Sequence, residues 1–300
     1  MFEGMTVAVV TPFRGGELDL EATERLVEYL LAGGTENLVI SGSTGEAATC
    51  TTEERRTLWR FVKERVRGRV PVIAGTGTNA TADSIALTRL AEEIGLDGAM
   101  LVTPYYNKPT ARGQVAHFTA VAKSTRLPIV IYNVPGRTGT NTMPETIERL
   151  HGVPNIVAVK EASGSLDQAS TVRARVRFAL LCGDDSLTLP MIAVGAAGVI
   201  SVAGNVAPRP MRELCDHARG GRIAEAEAIH RRLLPLFRAL FIESNPGPVK
   251  FLLSAMGLIE NQLRLPLVPV EPATEKAVLE AARECGVLLN ASRQAAAARA

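Results

Sequence analysis

The sequence lacks the features that mark a metalloprotein or a disulfide-bonded protein. Its 300 residues include only four cysteines and four histidines. No two cysteines form a C-x-x-C pair, and no histidine belongs to an H-E-x-x-H motif or ends an apolar run. These absences argue against a zinc site, a disulfide framework and a metal-dependent aldolase or hydrolase. The sequence therefore predicts reduced, buried cysteines and chemistry that needs no metal.

Strong charge and long apolar segments are also missing. The formal net charge is +2 and no long basic block is present, so nothing predicts binding to nucleic acid or to an anionic membrane. The N-terminal residues MFEGMTVAVVTPF lack the basic and apolar regions of a signal peptide, and no apolar run approaches the length of a membrane span. We expect a cytoplasmic protein with no nucleic-acid partner and no membrane partner.

The sequence does contain a repeated pattern of apolar, β-branched runs. Eight such runs begin at Thr6, Glu36, Val70, Gly98, Pro128, Ile156, Phe178 and Gly198. Between them lie segments with apolar residues at three- and four-residue steps, as in amphipathic helices. Strands that are apolar throughout are typical of a parallel sheet covered on both faces. The pattern predicts an α/β fold, namely a (β/α)₈ TIM barrel.

After Gly220 and Gly221 the pattern changes to helices without strands. Helices are predicted at roughly 222–243, 247–258 and 272–287. We therefore predict a catalytic barrel over residues 1–221 and a helical C-terminal extension over residues 222–300, which is compatible with a role in oligomer contacts. The terminal ASRQAAAARA is predicted to be frayed.

One lysine is the first candidate for chemistry. Lys160 ends the apolar run that starts at Ile156, and among the six lysines of the chain it alone falls in a predicted strand. An isolated strand-end lysine more often extends to solvent. In a barrel, however, active sites gather at the C-terminal ends of the strands, where polar residues cluster in this sequence. Strand alternation places Glu161 on the opposite face, so Lys160 has no adjacent carboxylate and is suited to attack a ketone.

Three further features fit such a reaction. Tyr132, at the end of the preceding predicted strand, can pass protons as a carbinolamine forms and breaks. The segment SGSTGEAA, residues 41–48, combines glycines with hydroxyls and suits a small carboxylate, although a plain turn explains it equally well. Arg137, in NVPGRTG, can bind a carboxylate through both ends of its guanidinium, although a single loop arginine is more often solvated.

A superficial nucleotide motif is rejected. The segment GTGTNA, residues 75–80, resembles a dinucleotide fingerprint. It belongs to the third of eight similar units, and such matches are weak on their own. The sequence predicts no cofactor.

Six segments together resemble the dihydrodipicolinate synthase family. They are GSTGE at 42–46, TPYYNKPT at 103–110, IYNVPGRTG at 131–139, VKEASG at 159–164, GVISVAGN at 198–205 and NPGPVKFLL at 245–253. The resemblance extends over about residues 1–290 and includes the wider class of pyruvate-dependent class I aldolases, such as N-acetylneuraminate lyase. It implies a lyase that condenses pyruvate with L-aspartate 4-semialdehyde in lysine and diaminopimelate biosynthesis.

The resemblance also implies catalytic roles. Lys160 corresponds to the Schiff-base lysine that captures pyruvate, and Tyr132 to the central proton relay. Thr44 and Tyr106 correspond to its partners in a hydroxyl triad, with Tyr106 expected to extend into the site of the neighbouring subunit. The family is commonly homotetrameric, so we expect a homotetramer built as a dimer of dimers.

Substrate-binding residues follow in the same way. Ser43 and Thr44 are expected to hold the pyruvate carboxylate, and Arg137 the carboxylate of aspartate semialdehyde. Gly183 and Ile200 are expected to line the pocket through their main chains. Ser43 stands where many members have threonine and keeps the hydroxyl. Sialic-acid lyases typically lack the arginine at position 137, so this residue favours the synthase.

An effector site for free lysine is implied less completely. Its residues would be Ala48, Asn79, Asp83 and Tyr105, which fit the family pattern. Thr52 and Arg55, however, stand where lysine-sensitive members often carry histidines. We therefore predict weak or absent inhibition by free lysine.

Two other functions stay open at this point. One is a different pyruvate-dependent aldolase or lyase that acts on a sugar acid or a hydroxy-oxo acid. The other is a non-catalytic small-molecule sensor, since a barrel does not specify a function. The aldehyde that the protein accepts distinguishes the first alternative from the synthase. Borohydride trapping of a pyruvate adduct distinguishes an enzyme from the second alternative, the sensor.

Overall fold

The computed structural model describes residues 1–287 and contains a closed parallel barrel. Its strands are β1 (Gly4–Ala8), β2 (Asn37–Ile40), β3 (Val72–Gly75), β4 (Gly98–Val102), β5 (Ile129–Asn133), β6 (Ile156–Glu161), β7 (Ala179–Cys182) and β8 (Gly198–Ser201). Each strand pairs in parallel with its neighbours in the chain, and β8 closes the barrel onto β1. The eight predicted strands and the (β/α)₈ barrel are confirmed.

Helices connect the strands and continue beyond the barrel. Within the described residues they are α1 (Leu20–Ala32), α2 (Thr52–Val66), α3 (Thr81–Ile94), α4 (Ala111–Lys123), α5 (Pro135–Thr138), α6 (Pro144–Glu148), α7 (Leu166–Arg175), α8 (Thr188–Ala193), α9 (Pro208–Arg219), α10 (Ile223–Ala239), α11 (Gly247–Ala255) and α12 (Pro272–Glu284). The last three match the predicted helices of the extension, each ending slightly earlier. The division into barrel and extension stays a prediction, and the predicted fraying of ASRQAAAARA lies outside the described residues.

Burial on both faces explains why the barrel strands are mostly apolar. On β6, Ala158 belongs to the cluster inside the barrel, together with Leu181 and Ile200. The next residue, Val159, belongs to the outer core, where the strands meet the helices. Alternate residues of one strand thus enter two different cores, and each position favours an apolar side chain.

Two local elements differ from the prediction. A short antiparallel hairpin pairs Phe13–Arg14 with Glu17–Leu18, and strands of this length carry no readable periodicity. The Pro-Gly segment after β5 is not a loop but the single turn α5, with Pro135 at its first position. Proline is well suited there, because that position needs no N–H donor and already has the proline φ angle.

The glycines of GTGTNA have a packing role. Gly75 ends β3, and a Cβ atom at this position would lie 2.1 Å from the carbonyl oxygen of Ser41. A Cβ atom at Gly77 would lie 2.3 Å from the backbone nitrogen of Val102. Neighbouring backbones approach too closely for any side chain, which accounts for both glycines without a bound dinucleotide.

The four cysteines are free and buried, as predicted. Burial raises the pKa values of the Cys182 and Cys215 thiols, which keeps them protonated and unreactive. Residues 1–287 contain no group of three or more histidine, cysteine or acidic side chains placed to hold a metal ion. No helix in this part of the chain is long and apolar enough to cross a membrane.

Candidate active site

A cavity of about 360 Å³ lies beyond the C-terminal ends of the strands. Its wall includes polar residues from several loops and from the C-terminal extension: Ser43, Glu46, Tyr105, Tyr132, Arg137 and Asn245. Met100 and Val134 add apolar surface to the same wall. The cavity therefore combines an apolar lining with a few convergent polar groups, at the end of the barrel where active sites occur.

Lys160 and Tyr132 lie side by side on neighbouring strands. They are direct partners in the register of β5 and β6. Both side chains are buried, and the Nζ atom of Lys160 lies 4.1 Å from the centroid of the Tyr132 ring. Among the described residues, no carboxylate forms a salt bridge with Lys160. The amine is therefore shielded from water beside a phenol that can hold a proton, as imine formation requires.

Glu161 lies on the opposite face of β6, as strand alternation predicts. Its buried carboxylate accepts hydrogen bonds from Asn133 Nδ2 at 3.1 Å, Gln168 Nε2 at 3.0 Å and the N–H of Ser163 at 2.7 Å. Neutral donors thus stabilise this buried negative charge. Glu161 serves the structure behind the strands and lies on the face away from Lys160.

Two carboxylates follow β7 and interact with the charge of the lysine. Burial raises the pKa of Asp184, and the charge of Lys160 partly opposes that rise. Burial also raises the pKa of Asp185, although its carboxylate accepts hydrogen bonds from the Ser201 hydroxyl and the N–H of Ala203. The charge of Lys160 thus acts on both carboxylates, and Asp185 is in addition held by fixed donors that join β7 to β8.

The turn after β2 is tightly built. Ser41 and Glu46 bracket it, with left-handed φ angles of 52° and 49°. The N–H groups of Gly45 and Glu46 donate within the turn, to the carbonyls of Gly42 and Ser43. Those two donors are thus not available to a ligand. Ser43 is exposed on the cavity wall, where its hydroxyl can meet a small carboxylate.

Asn245 connects two of the predicted binding residues. Its Nδ2 atom donates to Thr44 Oγ1 at 3.0 Å, and its backbone carbonyl accepts from Arg137 Nη2 at 3.2 Å. Thr44 is buried, whereas Arg137 is exposed on α5 at the cavity wall. A residue of the C-terminal extension thus joins the turn after β2 to the arginine after β5.

Sequence comparison identifies the family of this chain. The model of the dihydrodipicolinate synthetase family matches residues 1–284. The chain belongs to this family. A 4-hydroxy-tetrahydrodipicolinate synthase of Thermotoga neapolitana is 48% identical over 294 residues, which cover 96% of this chain and 100% of the relative. One from Pseudomonas aeruginosa is 48% identical over 291 residues, with the same coverage of 96% and 100%.

Solved structures of the dihydrodipicolinate synthetase family agree with the barrel. The crystal structure of dihydrodipicolinate synthase from Aquifex aeolicus matches with a TM-score of 0.94 at 45% identity, covering 95% of this chain and 99% of that chain. A structure of the first monomeric dihydrodipicolinate synthase variant matches with a TM-score of 0.94 at 44% identity, covering 95% of this chain and 97% of that chain. The resemblance of the six motifs to this family is confirmed.

The family's site residues are not all brought together in one chain. Tyr106 is 88% exposed, has a φ of 72°, and does not line the cavity of its own chain within the described residues. Ile200 lies inside the barrel in the same apolar cluster as Tyr132. Gly183 follows β7 and donates its N–H to the carbonyl of Glu161 at 2.8 Å. Their roles in the reaction stay predictions.

The residues of the family's effector site are only partly gathered at the cavity. Ala48 and Tyr105 line it, and Arg55 lies on the same wall. Asn79 precedes α3, and Asp83 lies in the first turn of that helix. Arg55 thus adds a positive charge to the cavity wall that also includes Ala48 and Tyr105, two of the four predicted effector residues.

Sequence reasoning missed a second buried lysine. Lys250, in α11, has no exposed side-chain surface, and its Nζ atom lies 2.6 Å from Oε1 of Glu46. Burial lowers the pKa of Lys250, and the Glu46 carboxylate opposes that change. The one available signal was a lysine inside the apolar stretch PVKFLL, since a buried ammonium needs a partner.

Proposed function

We propose that this chain is a 4-hydroxy-tetrahydrodipicolinate synthase, which condenses pyruvate with L-aspartate 4-semialdehyde through a Schiff base on Lys160. The observation that carries the proposal is the buried amine of Lys160, 4.1 Å from the Tyr132 ring at the C-terminal end of the barrel. The names of the relatives support it. A shielded amine suits a ketone substrate, and Arg137 at the cavity wall suits an anionic second substrate.

The reaction proceeds by covalent catalysis. The amine of Lys160 adds to the ketone carbon of pyruvate, and loss of one water gives the imine. A proton then leaves the pyruvate methyl group, and the resulting enamine attacks the aldehyde carbon of the second substrate. The amino group of that substrate displaces Lys160 by transimination, which closes the heterocycle and regenerates the amine. Every step is a proton transfer or a polar addition or elimination, so no oxidant is consumed.

Each proposed residue has a distinct task. Tyr132 exchanges protons with the carbinolamine, and Thr44 with Tyr106 of a neighbouring subunit links it to solvent. The hydroxyls of Ser43 and Thr44 hold the pyruvate carboxylate. Arg137 holds the carboxylate of the semialdehyde, and the main chains of Gly183 and Ile200 line the pocket.

The direct test is consumption of aspartate semialdehyde by the purified protein in the presence and absence of pyruvate. We expect turnover that requires pyruvate and yields the heterocycle. A panel of other aldehydes, including sugar-derived ones, should react far more slowly. Turnover of a sugar-derived aldehyde but not of aspartate semialdehyde would assign the chain to another branch of the pyruvate aldolases.

Arg137→Met should weaken binding of the second substrate alone. The half-saturating concentration of aspartate semialdehyde is expected to rise about 100-fold, because charge-assisted hydrogen bonds to its carboxylate are lost. The half-saturating concentration of pyruvate should stay within about twofold, because its carboxylate binds elsewhere. Steady-state kinetics with each substrate varied in turn measures both. The control is Arg126→Met, at a surface arginine paired with Glu92. An equal loss of apparent affinity for both substrates in Arg137→Met would contradict the assignment.

Free lysine should inhibit the protein weakly or not at all. The guanidinium of Arg55 lies at the cavity beside Ala48 and Tyr105, where the ammonium groups of a lysine ligand would meet a like charge. Initial rates at saturating pyruvate and increasing free lysine test this expectation. Half-maximal inhibition by less than one millimolar lysine would show this expectation to be wrong. The charge of Arg55 would then not oppose lysine binding, and Arg55→His should leave the inhibition unchanged.

We propose a homotetramer in which Tyr106 completes the site of a neighbouring subunit. Tyr106 is 88% exposed and has a left-handed φ of 72°. Co-expression of Tyr106→Phe with Lys160→Ala should therefore restore activity that neither variant has alone, up to about one quarter of the wild-type rate for random pairing in a dimer. Light scattering of the active species gives its subunit number. Absence of complementation in co-purified mixed oligomers, or full activity of a monomer, would refute this role.

A further inference from the structure

The C-terminal extension reaches the active-site turn through one buried ion pair. Lys250 in α11 donates to Glu46 Oε1 at 2.6 Å and to the carbonyl of Thr11 at 2.9 Å. Its Nζ atom also lies 4.5 Å from the centroid of the Phe13 ring. These three partners match the three hydrogens of an ammonium group. Neither Lys250 nor Glu46 has any exposed side-chain surface, so the pair has one fixed geometry.

The extension also holds the other carboxylate oxygen of Glu46. Oε2 accepts a hydrogen bond from the backbone N–H of Arg264 at 3.1 Å. Glu46 has a left-handed φ of 49°, a conformation that is unfavourable for a residue with a side chain. Contacts from two separate segments of the extension thus fix a strained residue of the GSTGE turn.

The position of Glu46 bears directly on the predicted carboxylate site. Its N–H donates to the carbonyl of Ser43 at 3.2 Å, which closes the turn that carries the Ser43 and Thr44 hydroxyls. Thr11, which accepts from Lys250 through its carbonyl, donates its hydroxyl to the carbonyl of Gly45 at 2.6 Å. A displacement of the ion pair would therefore move the turn at two points.

The charge of Glu46 matters as well as its position. Glu46 borders the cavity, but its carboxylate is buried behind the wall, where an unpaired charge would still repel an anionic substrate. Lys250 neutralises that buried charge at a distance of 2.6 Å. The pair thus leaves no net charge behind the part of the wall where the carboxylate of a substrate has to bind.

We propose that Lys250 and Glu46 are positioning residues for pyruvate binding, through which the C-terminal extension sets the geometry and the charge of the turn at residues 42–46. This inference rests on the proposed function, in which Ser43 and Thr44 receive the pyruvate carboxylate. Lys250 touches no reacting atom. It acts through Glu46, and Glu46 acts through the turn.

The test replaces the ion pair by a neutral pair of similar shape. The double variant Lys250→Met/Glu46→Gln leaves no buried unpaired charge, so its thermal unfolding midpoint should stay close to that of the wild type. The half-saturating concentration of pyruvate should nevertheless rise about tenfold, the effect of one weakened charge-assisted hydrogen bond, while kcat at saturating pyruvate stays within about twofold. Borohydride trapping on Lys160 against pyruvate concentration gives the same half-saturation without the second substrate.

A matched control removes a lysine-carboxylate pair that is far from the cavity. Lys63 of α2 lies 2.9 Å from Asp97, and both side chains are partly exposed. Lys63→Met/Asp97→Asn should change neither the trapping curve nor kcat. If the first double variant does not fold, Glu46→Asp is measured in the same way; it keeps both charges but shortens the side chain, and a rise in the same direction is expected.

The outcomes separate this inference from the proposed function. A folded Lys250→Met/Glu46→Gln or Glu46→Asp protein with the wild-type trapping curve would overturn the positioning role, even if its unfolding midpoint fell. A wild-type protein that forms no pyruvate adduct would instead overturn the proposed function. A raised half-saturating concentration with unchanged kcat supports the positioning role, because a purely structural defect would lower the active fraction and not the apparent affinity.

Discussion

Lys160→Ala should form no covalent adduct with pyruvate, and its turnover should fall by on the order of 10⁴-fold or more, because the only proposed nucleophile is gone. In the wild type, borohydride reduction in the presence of pyruvate should add about 72 Da, the mass of pyruvate joined through a reduced imine. Mass spectrometry of the intact protein and of its peptides measures both. The added mass should map to the peptide that carries Lys160.

The chain offers two useful comparisons for this experiment. Lys123 is exposed at the end of α4, and Lys123→Ala should label and turn over as the wild type does. Lys250 is the other buried lysine, but its amine is engaged by Glu46. An adduct found on Lys250, or undiminished labelling of Lys160→Ala, would contradict the assignment of the Schiff-base lysine.

Lys250→Met alone should lower the free energy of unfolding by about 3–5 kcal/mol, because it leaves the carboxylate of Glu46 buried without its partner. Chemical denaturation followed by circular dichroism measures the change. Adding Glu46→Gln should recover most of the loss, because the amide does not need a counter-charge. This recovery distinguishes an unpaired charge from a simple packing defect, which the second substitution would not repair.

The comparison is again the pair of Lys63 and Asp97, whose side chains are 28% and 38% exposed. Partly exposed ion pairs contribute little to stability, so Lys63→Met should cost less than about 1 kcal/mol. A cost for Lys250→Met no larger than that of Lys63→Met would mean that water reaches Glu46. The buried pair would then not have the fixed geometry inferred above.

The parts of the fold that could be predicted are those in which a local pattern has one physical cause. Each barrel strand is buried on both faces, so it appears as an unbroken apolar run. Lys160 is conspicuous for the same reason, since a charge at the end of such a run is unusual. Its position beside Tyr132 also follows, because successive strands of a parallel barrel are neighbours and their C-terminal ends meet.

Contacts between distant segments could not be predicted in this way. Lys250 and Glu46 are 204 positions apart, and a lysine in a helix is ordinarily solvated. Asn245 likewise joins Thr44 to Arg137 through hydrogen bonds that no spacing in the sequence implies. The short helix α5 was hidden because proline followed by glycine is more typical of a turn.

The candidate site contains one residue that a single chain cannot place. Tyr106 lies on the surface of its own subunit, so its proposed contact with the reacting groups depends on a second copy. Only the family resemblance assigns it to the site. Neither composition nor periodicity contains information about the arrangement of subunits.

The register that pairs Tyr132 with Lys160 also determines how the site should respond to partial unfolding. Both residues lie within strands whose backbone hydrogen bonds join β5 to β6, whereas Arg137 is exposed on a single helical turn beyond the strands. Opening of peripheral segments is less costly than opening of a central sheet. The amine and the phenol therefore stay in place until the barrel itself opens, while the arginine that selects the second substrate is released earlier. A partly unfolded molecule would still hold the imine-forming pair and would lose its preference for an anionic aldehyde first.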